Sequence, residues 1–534
     1  MANRPVHRRQ RAVGGAQALV IVEASGKQDL LRRRLAAIGL RADVIATVGH
    51  IADNPKSLRP ILLDDGLAEQ AYAIRSDRTE LAAKIQAAAA RADEIFLAMD
   101  DDQEGDAIAH DVAVLIGEDV ERAKRVRLRA LGEQELRVAF ANACEPDYEV
   151  EGNNAKSRRI IDRAIGSTFS LITESITVPV GRVQSSLLAS LSEVPPVRGE
   201  FVLPFRHPDG RSFTAELAVR SDAQRAQLLE LAAALRAGAG TVRDEWMERL
   251  PAATPWTHED VVAEAALRLH LDVGRAEAAL QLAYEAGRVS YPRSRARAYT
   301  EEAIELAGEI ASNNRCAFDP ALVPVHEMSA TDNHPHESPR PLTVDVQTGR
   351  SLSLMDASQA IEVLLTRNLI ECGQTKQASK LRVDVDGLEL DFSYIAKPPM
   401  RNWAPRQKEA GFQPWATDVA LLRYMAERRL GRSSTSVAHT QRFLERNLIE
   451  ITDAGIGLNE KGRSWLDHAR ASGLGAETSS QIEAALDGRI EDPHQAAQDI
   501  LESQGLLARV QLAILRQAKP ERAVEEAYMG PEFG

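Results

Sequence analysis

The stretch that decides the fold is Ile95-Phe96-Leu97-Ala98-Met99-Asp100-Asp101-Asp102-Gln103-Glu104-Gly105-Asp106, an apolar run that ends in a burst of acid before Ala107-Ile108-Ala109. Such a run reads as a buried strand, and the residues after the acids read as a helix. Asp100, Asp102 and Glu104 alternate, so in an extended turn they point the same way and offer hard oxygens of the kind that Mg²⁺ takes beside retained water. The competing reading is a solvated acidic loop. A second strand end tips the balance. Ala18-Leu19-Val20-Ile21-Val22 ends in Glu23, after which Ala24-Ser25-Gly26-Lys27 turns into a helix with Leu30, Leu31, Leu35 and Ile38 on one side. Open α/β sheets carry their sites at such carboxyl ends.

Working outward, strands at 18–23, 43–48, 94–99 and about 125–129 alternate with helices near 27–38, 79–92 and 106–116, a βαβ pattern and hence a mainly parallel sheet. From about 151 the apolar spacing becomes helical until Pro195-Pro196. A β-rich stretch comes next, Phe201 to Val219 around Pro208-Asp209-Gly210, and Leu381 to Tyr394 with Asp386-Gly387 has the same character. Thr257 and Asp260 predict a capped helix carrying Val261, Ala265, Leu267 and Leu269 inward. Beyond the linker near 404–414 the chain is helical, with Gly431 to Thr435 joining two helices and a small hairpin over Ile451 to Leu458.

At 534 residues and 44% hydrophobic, the chain must divide into several domains. Cys144, Cys316 and Cys372 form no CxxC pair, so neither a disulfide framework nor a zinc ribbon is expected, which suits a reducing cytoplasm. The spacing of Cys316, His326 and His334 fits no standard zinc site. No apolar stretch reaches the roughly 18 residues of a membrane span. Arg4, Arg8, Arg9 and Arg11 mimic a secretory leader, but Glu23 ends the apolar run, so residues 1–17 read as a basic arm. The net charge of −13 argues against indiscriminate coating of nucleic acid, yet charge is local. Residues 91–120 are densely acidic, whereas Arg288, Arg293, Arg295 and Arg297 crowd a segment without acids. An acidic metal pole and a basic phosphate pole suit phosphoryl transfer.

These features, in this order, resemble the type IA DNA topoisomerases. Glu23 to Lys27 and Asp100 to Gly105 are similar to the two signatures of their TOPRIM domain. Further matches are Val48-Gly49-His50-Ile51-x-Asp53-x-Pro55, Arg158-Arg159-Ile160-Ile161-Asp162-Arg163 and Gly181-Arg182-Val183-Gln184-Ser185. So are Val289-Ser290-Tyr291-Pro292-Arg293-Ser294, His336-Glu337-x-x-Arg340-Pro341 and Gly431-Arg432-Ser433-Ser434-Thr435. The resemblance implies an α/β and α+β multidomain chain: a TOPRIM parallel sheet domain plus helical and β-arch domains forming a toroidal core, without C-terminal zinc modules. Its expected divisions are a basic arm at 1–17, TOPRIM at 18–150, a helical DNA-binding domain at 151–197 and 409–534 with the tail, a β-arch at 198–254 and 379–408, and a catalytic-tyrosine domain at 255–378.

The resemblance also implies the roles. Tyr291 is the nucleophile, with Arg293 two positions along an extended segment to neutralise the phosphorane. Taken alone, a tyrosine in Val-Ser-Tyr-Pro is a half-buried core residue; its rivals Tyr284 and Tyr299 fit a helix face and a helix start. Glu23 carries the leaving-group proton, Lys27 stabilises charge, and Glu23, Asp100, Asp102 and Glu104 hold Mg²⁺. His336 and Arg340 stand near the phosphotyrosine. His50, Arg158, Arg159, Asp162, Gly181, Arg182, Val183, Gln184, Arg340, Arg432, Ser434 and Thr435 are the DNA-binding candidates. With only 4% aromatic residues, binding to single strands would be mostly electrostatic. Underwound or single-stranded DNA is the expected partner and a helicase a second one, for a monomer in the cytoplasm on the nucleoid. Departures from the family pattern are Met99, Gln103, Ser167 and the run Ser294-Arg295-Ala296, where Arg295 is expected to make the tyrosine site more positive. The alternatives are a catalytically weak DNA-binding paralogue and a TOPRIM nuclease or primase.

Overall fold

The computed structural model describes residues 18–147, 150–173, 177–326, 336–406 and 408–528. The basic arm and His334 lie outside these residues. Two compact units emerge, Ala18–Asp53 with Ala73–Gly152, and Asn54–Tyr72 with the chain from Asn153 onward.

The first unit is built on a four-stranded parallel sheet in the spatial order Ala42–Ala46, Ala18–Val22, Glu94–Asp100, Ala123–Leu128. Its two central strands are apolar along almost their whole length because helices cover both faces of a parallel sheet. Leu19, Ile21, Ile95, Leu97 and Met99 pack against Ala82 and Ile85 of helix Thr79–Ala89 and Ile108 and Val112 of helix Gln103–Ile116. The carboxyl ends of the central strands present Glu23 and Asp100.

In the second unit a six-stranded sheet runs in the order Thr241–Pro251, Thr375–Val385, Leu388–Lys397, Ser212–Val219, Gly199–Arg206, Gly411–Pro414 with antiparallel neighbours. Strands Thr241–Pro251 and Thr375–Val385 pair side by side, so the residues between them leave the sheet and return to the same place. Those residues form helices His258–Leu269, Val273–Glu285, Glu301–Asn313 and Ala357–Cys372. The first of these starts with the expected capping box of Thr257 and Asp260. Its inward face differs from the expectation: Val261, Val262, Ala265 and Ala266 are buried, whereas Leu267 and Leu269 are only partly covered. The spacing of 267 and 269 places them around the helix from Val261. Helix Asn153–Phe169 shares a core with helices near the end of the chain across more than 300 positions of sequence, such as Ile161 with Ile482 and Leu501, and helix Arg182–Glu193 shares another with residues Leu421 to Leu466. The expected fold class holds: a parallel-sheet part, helical parts and an antiparallel sheet. Among the described residues no helix is long and apolar enough to cross a membrane.

Candidate functional site

The acidic site grows from the two central strands of the first unit. Glu23 comes directly after strand Ala18–Val22, and its carbonyl oxygen accepts from the amides of Val48 (2.8 Å) and Gly49 (3.4 Å). Both take positive φ, 57° and 80°, a turn that glycine permits and that valine adopts only under strain. Lys27 is 1% exposed and its Nζ donates to Asp100 Oδ1 at 2.5 Å. Each buried charge offsets the desolvation of the other.

The extended alternation from Asp100 to Glu104 is not what forms. The helix begins at Gln103 and not near 106, because Asp102 Oδ1 accepts from the Gly105 amide at 2.6 Å and caps it. Glu104 therefore sits in a helical first turn, 3.0 Å from His50 Nε2, while His50 Nδ1 lies 3.6 Å from Asp111. Burial alone would depress the His50 pKa, but hydrogen bonds to Asp111 and Glu104 raise it to about 10. Gly105 lets this helix start press on the strand end: a Cβ there would lie 2.1 Å from the Asp100 carbonyl oxygen.

Nor is the acidic pole bare. Strand Ala123–Leu128 and the residue after it supply Arg125, Arg127 and Arg129. Buried Arg125 donates to the carbonyls of Met99 (3.0 Å) and Asp100 (2.8 Å) and to Asp106. Arg127 and Arg129 hold Asp101 at 3.2 and 2.5 Å. Sequence reading missed these arginines, although their spacing of two on a strand is visible. Among the described residues no three His, Cys, Asp or Glu side chains gather as a metal cage. Glu23 and Asp100, at the ends of neighbouring parallel strands, and Asp102, at the helix N-cap, nevertheless carry hard carboxylate oxygens of the kind that a divalent cation takes.

The tyrosine site belongs to the second unit and is assembled from distant segments. Tyr291, 3% exposed, lies with its ring 4.3 Å from that of His336 and edge-on to Tyr284 at 5.7 Å. It lies not on a regular strand but on an irregular segment pinned by backbone bonds. Ser290 donates to the Arg340 carbonyl (2.8 Å), Leu342 to that of Arg288 (2.9 Å), and Arg340 N to Ser290 Oγ (3.0 Å). Ser433 Oγ donates to the Arg293 carbonyl at 3.0 Å, bringing the Gly431–Thr435 turn to the same segment. The rivals are fully buried: Tyr284 in its helix, and Tyr299 with its pKa driven well up by desolvation.

Glu337 organises this pocket and was not singled out from sequence. It accepts from Thr300 N (2.9 Å), Thr300 Oγ1 (2.8 Å) and the Nε of buried Arg340 (2.7 Å). Arg295 does not make the site more positive as expected. Its guanidinium lies 2.8 Å from Glu259, a buried carboxylate that desolvation would push up but that Arg295 and His258 hold low. Glu259 lies 36 positions away, and no local pattern links the two.

Among the DNA-binding candidates the structure brings Arg158, Asp162 and Arg182 together. Arg182 Nε meets Asp162 at 2.7 Å and its Nη2 meets Glu483 at 2.6 Å, while Arg158 reaches Glu483 at 3.2 Å. Burial would raise the Glu483 pKa, but Arg182, Arg158 and Arg432 pull it to about 2. Glu483 carries no motif; only tertiary packing reveals it. Arg159 stands apart, bidentate to Glu69 at 2.8 Å and stacked on Tyr72. Gly181 precedes helix Arg182–Glu193, whose buried Val183 faces Gly431, and Gln184 donates to the His439 carbonyl and accepts from Arg446. Arg432 and Ser434 are half-buried and Thr435 is exposed.

Known proteins share both sequence and fold with this chain. Residues 18–131 match the Toprim domain. DNA topoisomerase 1 of Campylobacter jejuni is 34% identical over 173 residues, 32% of this chain and 24% of that protein. DNA topoisomerase 1 of Vibrio cholerae is 24% identical over 71% of this chain and 49% of its own length, and that of Escherichia coli 25% identical over 67% and 46%. The chain thus spans about half or less of the length of these relatives. The structure of full-length topoisomerase I from Thermotoga maritima superposes with a TM-score of 0.64 at 19% identity, covering 92% of this chain and 90% of that one. The resemblance drawn from the motifs is borne out by a Toprim domain, by similarity to DNA topoisomerase 1 along much of the chain and by a shared fold.

Proposed function

We propose, from the premise that this chain carries a Toprim domain within a type IA topoisomerase fold, that it is a type IA DNA topoisomerase. It cleaves single-stranded DNA without ATP, passes a strand and reseals the break, relaxing negative supercoils or decatenating DNA. The observation that carries this reading is the built pocket around Tyr291, pinned at Ser290 and Arg340 and closed by the His336 ring.

Tyr291 Oη attacks phosphorus, forming a 5′-phosphotyrosine as the bond to the 3′-oxygen breaks. One phosphodiester replaces another, so the bond energy is kept for religation. Glu23 is the proton donor to the departing 3′-oxygen, and Lys27 and Arg293 offset charge on the phosphate. His336 orients the tyrosine through its ring, and Arg340, itself held by Glu337, through its backbone bonds with Ser290. Glu23, Asp100, Asp102 and Glu104 would hold Mg²⁺, which would supply positive charge against phosphate oxygens. In the second unit Arg159, Asp162, Arg432, Ser434 and Thr435 would meet the DNA strand, supported from beneath by buried Arg158, Arg182 and Gln184 and by the backbone of Gly181 and Val183; His50 of the first unit is a DNA contact in the same reading. The domain limits drawn from the sequence, a monomeric state, a place on the nucleoid and a helicase partner belong to the same reading.

A Toprim nuclease or primase would account for residues 18–131 and leave Tyr291 unexplained. The paralogue reading loses one support, because Glu259 balances the charge of Arg295. The test is to incubate the protein with labelled single-stranded DNA and Mg²⁺ and trap with denaturant. Wild type should yield a covalent adduct, and Tyr291→Phe none while it still binds DNA. An adduct that survives on Tyr291→Phe would overturn the assignment.

A further inference from the structure

Within the second unit, a small, partly open cleft of about 80 Å³ lies beside helices His258–Leu269 and Ala357–Cys372 and the segment 401–406. Two tryptophans and four arginines line it, against the single acid Glu371. Arg268 lies 5.6 Å from the Trp256 ring, and Arg367 and Arg401 lie 5.6 and 5.9 Å from that of Trp403. Arg268 is balanced by Glu264 and Arg401 by Glu371. Arg367 donates instead to the carbonyls of Thr348 and Arg350, which fix its fork in place. With exposed Arg406 it leaves the cavity a surplus of positive charge.

We infer that this cavity is an accessory nucleotide subsite, in which a base stacks on an indole of Trp256 or Trp403 and a phosphate meets Arg367 and Arg406. Flat π-faces flanked by guanidinium groups select a ligand that is both aromatic and anionic. At this size the cleft holds part of a nucleotide, its base or its phosphate, with the rest in solvent. The same chemistry could come from a free nucleoside phosphate or from one residue of a single strand. The inference rests on this cavity and not on Tyr291, so the subsite and the catalytic assignment fail separately.

The test is titration of the full chain with dTMP, with inorganic phosphate and with a short oligothymidylate, monitored by calorimetry and tryptophan fluorescence. Wild type should bind dTMP at least about tenfold more tightly than phosphate, as stacking on an indole requires. Trp403→Leu and Arg406→Gln should each weaken dTMP about fivefold or more with thermal melting unchanged; Arg406 is exposed, so its variant folds even if the tryptophan variant does not. Equal binding of phosphate and dTMP, or variants that bind dTMP as wild type does, would overturn the subsite. Tighter oligonucleotide than dTMP identifies a DNA strand as the source, and the reverse a free nucleotide.

Discussion

The acidic site and the tyrosine pocket solve the same problem, holding charged or reactive groups out of water, by opposite routes. In the acidic site the key groups are neighbours in sequence: Asp100 ends a strand, Asp102 caps the next helix and Glu104 rides in its first turn. Lys27 offsets the charge of Asp100, His50 faces Glu104, and the adjacent strand offsets neighbouring Asp101. In the tyrosine pocket the groups come from helix Val273–Glu285, the 288–294 segment, the 336–342 segment and the Gly431–Thr435 turn. A contiguous site survives small shifts because local geometry carries it. A site assembled from four segments depends on a few buried polar contacts.

The largest effect should therefore come from removal of such a contact. Glu337→Ala removes the carboxylate that meets the Nε of buried Arg340 and should destabilise the second unit by about 4 kcal/mol in urea unfolding, with loss of the covalent adduct. A change under about 1 kcal/mol would show that the pocket is not held this way. In the acidic site the comparable weak point is steric. Gly105→Ala forces a Cβ onto the Asp100 carbonyl and should cost about 3 kcal/mol, whereas Gly181→Ala, with open space around it, should cost less than about 1.

A pH experiment sharpens the contrast at smaller amplitude. Burial, reinforced by Arg182, lowers the His439 pKa to about 4 from its ordinary 6.5. Between these values the unfolded chain takes up a proton that the folded chain refuses, so stability falls as pH drops from about 6.5 to about 4. His439→Gln should remove about 2 kcal/mol of the difference between stabilities at about pH 7 and about pH 4.5. An identical pH profile would show that the histidine is not held neutral. Smallest is the effect at Asp102, where two roles can be separated. Asp102→Asn keeps the cap, so stability should change by only a few tenths of a kcal/mol, while the Mg²⁺ concentration needed for relaxation rises. Asp102→Ala should lose about 1 kcal/mol as well. A Mg²⁺ titration that neither substitution moves would take Asp102 out of the metal site.

By itself the sequence determined whatever is carried by short-range pattern. The apolar runs at 18–22 and 94–100 with polar ends specify parallel strands, Thr257 with Asp260 specifies a helix start, and Glu23, Lys27, Asp100 and Tyr291 stand out through local motifs. Alternation misled where a cap intervened: Asp102 turns the chain into a helix three residues early, because a carboxylate beside free amides favours helix over extension. What only the tertiary structure decided is which charges meet. Glu259 with Arg295, Glu483 with Arg158 and Arg182, Glu337 with Arg340, and Arg127 and Arg129 with Asp101 are all burial-driven pairings. Apart from Glu337 and Arg340, they join residues more than twenty positions apart. An ion pair has no sequence period to betray it; its partner is whichever opposite charge the packed core brings within reach once water is excluded.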